Sequence, residues 1–94
     1  MSHARWTIAA RQDLAAIDDH YAELSPDHAD RVGRAALAAA RFLADRPEAG
    51  PRITARFRKW RVAQTDYVLL YRPVPDGVEI LRMHHVRQNW RPRW

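Results

Sequence analysis

Residues 57–83 read FRKWRVAQTDYVLLYRPVPDGVEILRM, three apolar runs separated by turn residues. Side chains in the first run, 57–63, alternate between apolar and charged, which predicts a half-buried strand. The second run, 67–71, is apolar on both faces, which is typical of a strand in the middle of a sheet. The third run, 78–83, predicts another strand. The turn sequences between them are Gln64-Thr65-Asp66 and Pro75-Asp76-Gly77, so the three strands are expected to pair mainly antiparallel.

Two helices are predicted ahead of this sheet. Ser25-Pro26-Asp27 is a helix start, with serine as the N-cap, proline at the first helical position and an acid in the first turn. The second helix is expected to end before Pro47, because a residue that precedes proline avoids the α region. In the first helix an apolar stripe recurs at spacings of three and four, at Leu14, Ile17, Tyr21 and Leu24. In the second, the residues expected to face inward are Val32, Ala36, Ala39, Ala40 and Leu43.

The N-terminus adds one more strand. Residues 3–9 alternate, with Trp6 and Ile8 on one face. The predicted order is therefore β-α-α-β-β-β, an α+β fold with a helical hairpin packed on a mainly antiparallel four-stranded sheet. We expect residues 1–94 to form a single domain. Its parts are a helical hairpin over about 10–45, a C-terminal sheet over about 56–84 and a basic tail over 85–94.

Charge is distributed unevenly along the 94 residues. Residues 1–50 hold six arginines and eight acids, whereas residues 51–94 hold ten basic residues and three acids. The second part therefore carries a net charge of +7 within a total of +5. A domain half this basic is expected to meet an anionic partner, either nucleic acid or an acidic protein segment.

Several function classes find no support in the composition. The chain has no cysteine, which excludes disulfides and thiolate metal sites and fits a cytoplasmic location. It has no Gly-rich phosphate loop, His-Glu-x-x-His motif or serine nucleophile elbow. The histidines lack the clustered spacing that metal ligands need, so neither a metal nor another cofactor is expected. Neither a membrane span nor a signal peptide is predicted.

The C-terminal segment concentrates residues that can contact phosphates. One interpretation assigns His84 or His85 as a general base on a ribose hydroxyl, with Arg82 or Arg87 stabilising the phosphate. The alternative is structural: Trp90 covers the core and the arginines are solvated. Tyr67 and Tyr71 are predicted to be core residues with bonded hydroxyl groups.

Several short strings resemble the ParE/RelE superfamily of bacterial type II toxins, and together they cover nearly the whole chain. They are Trp6 with Ala10-Arg-Gln-Asp-Leu14, Leu43-x-x-x-Pro47-x-x-Gly50, Arg58-Lys-Trp-Arg-Val62, Tyr67-Val-Leu-Leu-Tyr71-Arg72, Gly77-Val-Glu-Ile-Leu81 and His85-Val-Arg-Gln-Asn-Trp90. The last string is similar to the ParE branch in particular. The resemblance implies a small cytoplasmic toxin neutralised by a cognate antitoxin, ParD-like or of another class, with an acidic C-terminal segment and hetero-oligomer formation.

The two branches of the superfamily imply different targets. ParE-type toxins poison DNA gyrase, without enzymatic activity of their own, whereas RelE-type toxins cleave messenger RNA at the ribosome. RelE-type enzymes usually carry an arginine in the central strand, where this chain has Val68. We therefore predict gyrase as the target, with the ribosome and messenger RNA as the alternative. In that alternative the catalytic residues are among His84, His85, Arg82 and Arg87.

Two surfaces are predicted to bind partners. Target binding is assigned to the C-terminal residues Arg82, His85, Arg87, Gln88, Trp90 and Arg91. Antitoxin binding is assigned to an apolar face and three basic residues: Tyr21, Leu24, Leu37, Phe42, Arg56, Arg58 and Arg61.

Overall fold

A computed structural model describes residues 2–87 of the chain. Its elements follow the predicted order β-α-α-β-β-β. They are β1 His3–Trp6, α1 Ile8–Ala22, α2 Pro26–Asp45, β2 Arg58–Arg61, β3 Tyr67–Val74 and β4 Gly77–His85. Two helices pack on a four-stranded sheet, so the predicted fold class is confirmed.

The sheet has the strand order β1-β4-β3-β2. β2 and β3 pair antiparallel, as do β3 and β4, whereas β1 lies parallel to β4. The predicted central strand, β3, lies between two neighbours, which explains its apolar residues on both faces. β1 and β2 are the edge strands of the described sheet.

Helix starts follow the capping rules. The Ser25 hydroxyl accepts a hydrogen bond from the amide of His28, and Pro26 occupies the first turn, as predicted. The start of α1 differs from expectation, because Thr7 caps the helix by accepting from the amide of Ala10. The predicted strand over 3–9 therefore ends at Trp6. Ile8 begins the helix instead and is 76% exposed.

The core lies between the sheet and the helices. All five residues expected to face inward from α2 are buried. α1 contributes Leu14 and Ile17 from its predicted stripe, both only partly buried. Leu24, predicted to continue that stripe, lies in the turn after α1 and is 77% exposed. The stripe ends one turn early because the helix ends at Ala22.

Tyr71 anchors the loop after α2 to the sheet. It is fully buried, and its hydroxyl donates to the carbonyl of Pro47 at 2.8 Å while accepting from the amide of Gly50 at 2.9 Å. A β-carbon at Gly50 would collide with the backbone carbonyl of Lys59, so the loop approaches β2 closely only because residue 50 is glycine. The predicted core role of Tyr71 is confirmed.

Two turns use left-handed backbone conformations. Gly77 has φ 145°, where a side chain would also meet His3 of β1. Gln64, between β2 and β3, has φ 61°. A residue other than glycine is costly there, so the β2–β3 turn holds backbone strain.

Candidate functional site

Arg82, predicted to contact a target, is held by a carboxylate on α1. Its Nε donates to Oδ2 of Asp13 at 2.7 Å and its Nη2 to Oδ1 at 3.0 Å. Asp13 also accepts from the amide of Met83 at 3.0 Å. Hydrogen bonding to Asp13 raises the pKa of Arg82 above its usual value, although burial opposes this. Because Nε and Nη2 both bind Asp13, Arg82 joins α1 to β4 in this structure, and two of its three guanidinium nitrogens are occupied.

The two adjacent histidines lie on different faces of β4, as strand alternation requires. Burial lowers the pKa of His84 below its usual value, which favours a neutral ring. The ring of His85 packs edge-on against Tyr67 with centroids 5.4 Å apart, and its Nδ1 accepts from the amide of Arg87 at 3.1 Å. The two candidate general bases therefore do not converge on one point. The remaining predicted target contacts, Gln88, Trp90 and Arg91, lie outside the described residues.

The three basic residues predicted to bind antitoxin have different surroundings. Nη1 of Arg58 donates to two backbone carbonyls of the loop after α2, at 3.1 and 2.7 Å. Arg58 therefore supports the loop that Tyr71 also holds. Arg61 pairs with Asp66 at 3.2 Å, with both side chains more than 60% exposed. Arg56 is exposed.

The apolar residues predicted to bind antitoxin do not share one surface. The Tyr21 hydroxyl lies 3.2 Å from the Tyr67 hydroxyl, and burial raises the pKa of Tyr67 above its usual value. Phe42 stacks on Trp60 with ring centroids 5.3 Å apart, on the side of α2 that faces β2. Leu24 is exposed at the junction of the helices. Only Leu37 borders a sizeable apolar groove.

This helix groove lies between α1, α2 and β1 and has a volume of about 630 Å³. Its apolar lining includes Trp6, Leu14, Ile17, Gly33 and Leu37. An added β-carbon at Gly33 would meet nothing within 4 Å, so the glycine leaves the groove open. Leu14 and Ile17 were predicted only as part of an apolar stripe on the first helix, not as the lining of a groove. The sequence did contain one signal of the groove. Gly33 is an isolated glycine within a helical pattern, and such a glycine often has a packing or functional reason.

The groove also borders an open strand edge. The amides of His3 and Thr7 donate to carbonyls on the β4 side, those of Asp76 and Ile80. Because backbone groups alternate along a strand, Ala4 and Trp6 direct their N–H and C=O groups away from β4. The groove therefore combines apolar side chains with a strand edge that can accept an added segment.

A second concave surface lies at the β2 edge of the sheet. It has a volume of about 530 Å³ and is lined mainly by apolar atoms of Pro51, Trp60, Val68 and Val86, together with Lys59 and Arg61. Lys59 and Arg61 occupy alternate positions of β2, so both lie on the face opposite Trp60, as predicted. We call this surface the basic sheet pocket.

Neither surface has metal-site chemistry. Within residues 2–87 no group of three or more histidine, aspartate or glutamate side chains is placed to hold a metal ion. No helix in that part of the chain is long and apolar enough to cross a membrane.

The molecule is thus a small two-helix, four-stranded α+β protein with an apolar groove on its helical side and a basic pocket on its sheet. Residues 4–90 match the family model described as ParE toxin of type II toxin-antitoxin system, parDE. The chain therefore belongs to the ParE family of type II toxins.

Two relatives agree with this assignment. The Toxin RelE2 of Caulobacter vibrioides is 36% identical over 85 residues, covering 90% of this chain and 96% of the relative. A solved chain from the chromosomal ParDE TA system of P. aeruginosa superposes with a TM-score of 0.76 at 26% identity, covering 90% of this chain and 96% of that one. The predicted superfamily is confirmed, and the family implies an antitoxin partner.

Proposed function

We propose that this toxin inhibits DNA gyrase without enzymatic activity of its own. The observation that carries the proposal is the pairing of Arg82, whose Nε and Nη2 both bind Asp13. A metal-independent nuclease needs a base, an acid and a cation arranged around one phosphate. Here His84 and His85 lie on opposite faces of β4, so they cannot act together as base and acid on one phosphate, and Val68 contributes no functional group.

The test is a gyrase assay with purified toxin. We expect inhibition of supercoiling together with accumulation of cleaved DNA that remains bound to gyrase. If expression of the toxin arrests growth but the purified toxin leaves both readouts unchanged, gyrase is not the target. Asp13→Asn together with Arg82→Met replaces this partly buried ion pair and serves as a variant that removes the Arg82 guanidinium without leaving a charge unpaired.

A second candidate is cleavage of messenger RNA at the ribosome, which the name of the Caulobacter relative, Toxin RelE2, favours. At the end of β4, His85 is half-buried and Arg87 is exposed. Primer extension on cellular RNA after induction distinguishes the two functions. New 5′ ends within codons are expected only for the nuclease, and they should disappear in His85→Gln if that residue is the base.

For the antitoxin we propose that an amphipathic segment occupies the helix groove. Support comes from the groove's apolar lining and from the open edge of β1 beside it. Arg5 and Arg11 stand at its rim with Asp18, and Arg5 also pairs with Glu79, so Arg11 is the rim cation that an acidic segment would meet. This revises the predicted antitoxin surface. Leu37 remains in it, whereas Phe42 and Arg58 are engaged inside the toxin.

A further inference from the structure

The separation of charge seen along the sequence is also present in space. Six exposed carboxylates lie on or between the helices: Asp18, Asp19, Glu23, Asp27, Asp30 and Asp45. On the sheet side, Arg52, Arg56, Lys59 and Arg87 are exposed, and within residues 2–87 none of them has an acidic side chain at ion-pair distance. Arg5 and Arg72 share one carboxylate, that of Glu79. The sheet side therefore has cations that its own acids do not neutralise.

Two of the cations at the basic sheet pocket can reach a ligand. Lys59 is exposed and has no ion-pair partner in the described part of the chain. Arg61 is 62% exposed, and its 3.2 Å contact with Asp66 is a surface pair. Such pairs contribute about 0–1 kcal/mol, so a phosphate can replace the carboxylate. At about 3.3 Å per residue the two side chains leave the strand roughly 7 Å apart.

The floor between these cations is apolar. Val68 pairs directly with Arg61 across the two strands, and Pro51 and Val86 complete the walls. Trp60 also borders the pocket, although its ring lies on the other face of β2 and stacks on Phe42. A pocket of about 530 Å³ is large enough for a single ring system. An apolar floor beside cations lets the face of an unpaired base pack while its phosphates meet the cations, with no dependence on sequence.

We propose that the basic sheet pocket binds single-stranded DNA, with Lys59 and Arg61 on phosphates and a base against the apolar floor. A duplex hides its base faces by stacking, so it cannot fill the floor. The lining side chains include no carboxylate, hydroxyl or amide, so none of them accepts a hydrogen bond from an added ribose 2′-hydroxyl, which lies against Pro51 and the valines. This favours DNA over RNA. The inference rests on the proposed gyrase function for its biological meaning, because gyrase holds opened DNA ends.

The experiment measures binding without gyrase. Fluorescein-labelled twelve-nucleotide oligothymidylate is titrated with purified toxin, and anisotropy is followed from low to physiological salt. Wild-type toxin is expected to bind with an affinity that falls as salt rises. Lys59→Glu should raise the Kd about tenfold or more, and Lys59→Gln should lower the salt slope by about 0.7. Arg41→Glu, the same charge change at an exposed position of α2, should leave binding within about twofold.

Binding of ligands from other classes tests whether the pocket prefers single-stranded DNA. The inference is overturned if wild-type toxin does not bind the oligonucleotide at low salt, or if Lys59→Glu and Arg41→Glu behave alike. It is also overturned if an RNA of the same length, a duplex or polyglutamate binds as tightly as the DNA strand. Circular dichroism confirms that each variant is folded.

Gyrase inhibition by the same variants separates the two proposals. If Lys59→Glu abolishes DNA binding but the variant still inhibits gyrase, DNA contact has no role in inhibition and gyrase remains the target. DNA binding by a wild-type toxin that does not inhibit gyrase removes the gyrase proposal and leaves the DNA site.

Discussion

Gly33 offers a direct test of the helix groove. It lies in the interior of α2, where glycine costs about 1 kcal/mol relative to alanine because its backbone loses more freedom on folding. A β-carbon there meets nothing within 4 Å, so no clash offsets the gain. Gly33→Ala is therefore expected to raise the free energy of unfolding by about 1 kcal/mol. That corresponds to a Tm increase of about 4–8 °C for a domain of this size.

Urea unfolding of the isolated toxin, followed by circular dichroism, measures this change. A decrease in stability would mean that residue 33 has close neighbours and that the groove is not open there. Gly33→Phe extends the test to the partner, because its ring fills part of the groove while the helix remains intact. We expect antitoxin affinity to fall at least about tenfold, which corresponds to 1.4 kcal/mol. Ala38→Phe, at an exposed position of α2 away from the groove, is the matched control. Equal affinities for the two variants would place the antitoxin elsewhere.

Three further predictions concern stability. Gln64 has φ 61°, a conformation that glycine adopts easily and a β-branched residue does not. Gln64→Gly should therefore raise the free energy of unfolding by about 0.5–1 kcal/mol, whereas Gln64→Val should lower it by more than about 1 kcal/mol. Urea unfolding of both variants measures the difference. Asp13→Asn should lower the free energy of unfolding by about 2 kcal/mol, because it weakens the hydrogen bonds to Arg82 and to the Met83 amide. A double-mutant cycle with Arg82→Met should show that the two side chains are energetically coupled. Additive effects of the two substitutions would contradict this coupling. Stability should fall with acid in two steps, because folding lowers both pKa values concerned. Burial lowers the pKa of His84, so stability decreases as pH falls below about 6.5. Hydrogen bonding to Arg72 lowers the pKa of Glu79, so a second loss begins below about 4.5. His84→Gln and Glu79→Gln should each flatten their own step in a pH series of unfolding curves, and an unchanged profile would contradict the assignment.

Local signals in the sequence were sufficient for the order of elements and for most of their bounds. The caps of α2, the turn at Pro75-Asp76-Gly77 and the period-two patterns all act within a few residues, so they could be read without the fold. The predicted end of the first strand was wrong. Thr7 acts as a helix cap, so the residues after it are helical, and a four-residue strand has too few alternating positions to show where it ends. The parallel pairing of β1 with β4 joins residues more than seventy positions apart, and no local signal carries it.

The functional surfaces were less predictable, because they depend on what each side chain meets after folding. Arg58 and Arg82 look alike in the sequence as basic strand residues. In the structure one holds a loop through backbone carbonyls and the other holds a helix through a carboxylate. Lys59 and Arg61, on alternate positions of β2, are both accessible. Composition could therefore predict that the C-terminal half is basic, but not which cations are available to a partner.

The two proposed surfaces have a consequence for neutralisation. The helix groove lies beside β1 and the basic sheet pocket beside β2, at opposite edges of the sheet. A segment confined to the groove would leave Lys59 and Arg61 accessible, so it would not compete with DNA directly. Silencing would then require either a longer antitoxin segment that crosses the sheet or a change in the toxin that is transmitted through α1 and the Asp13–Arg82 pair. Competition between antitoxin and oligonucleotide distinguishes these routes, because a crossing segment must release the DNA while one confined to the groove allows both to bind.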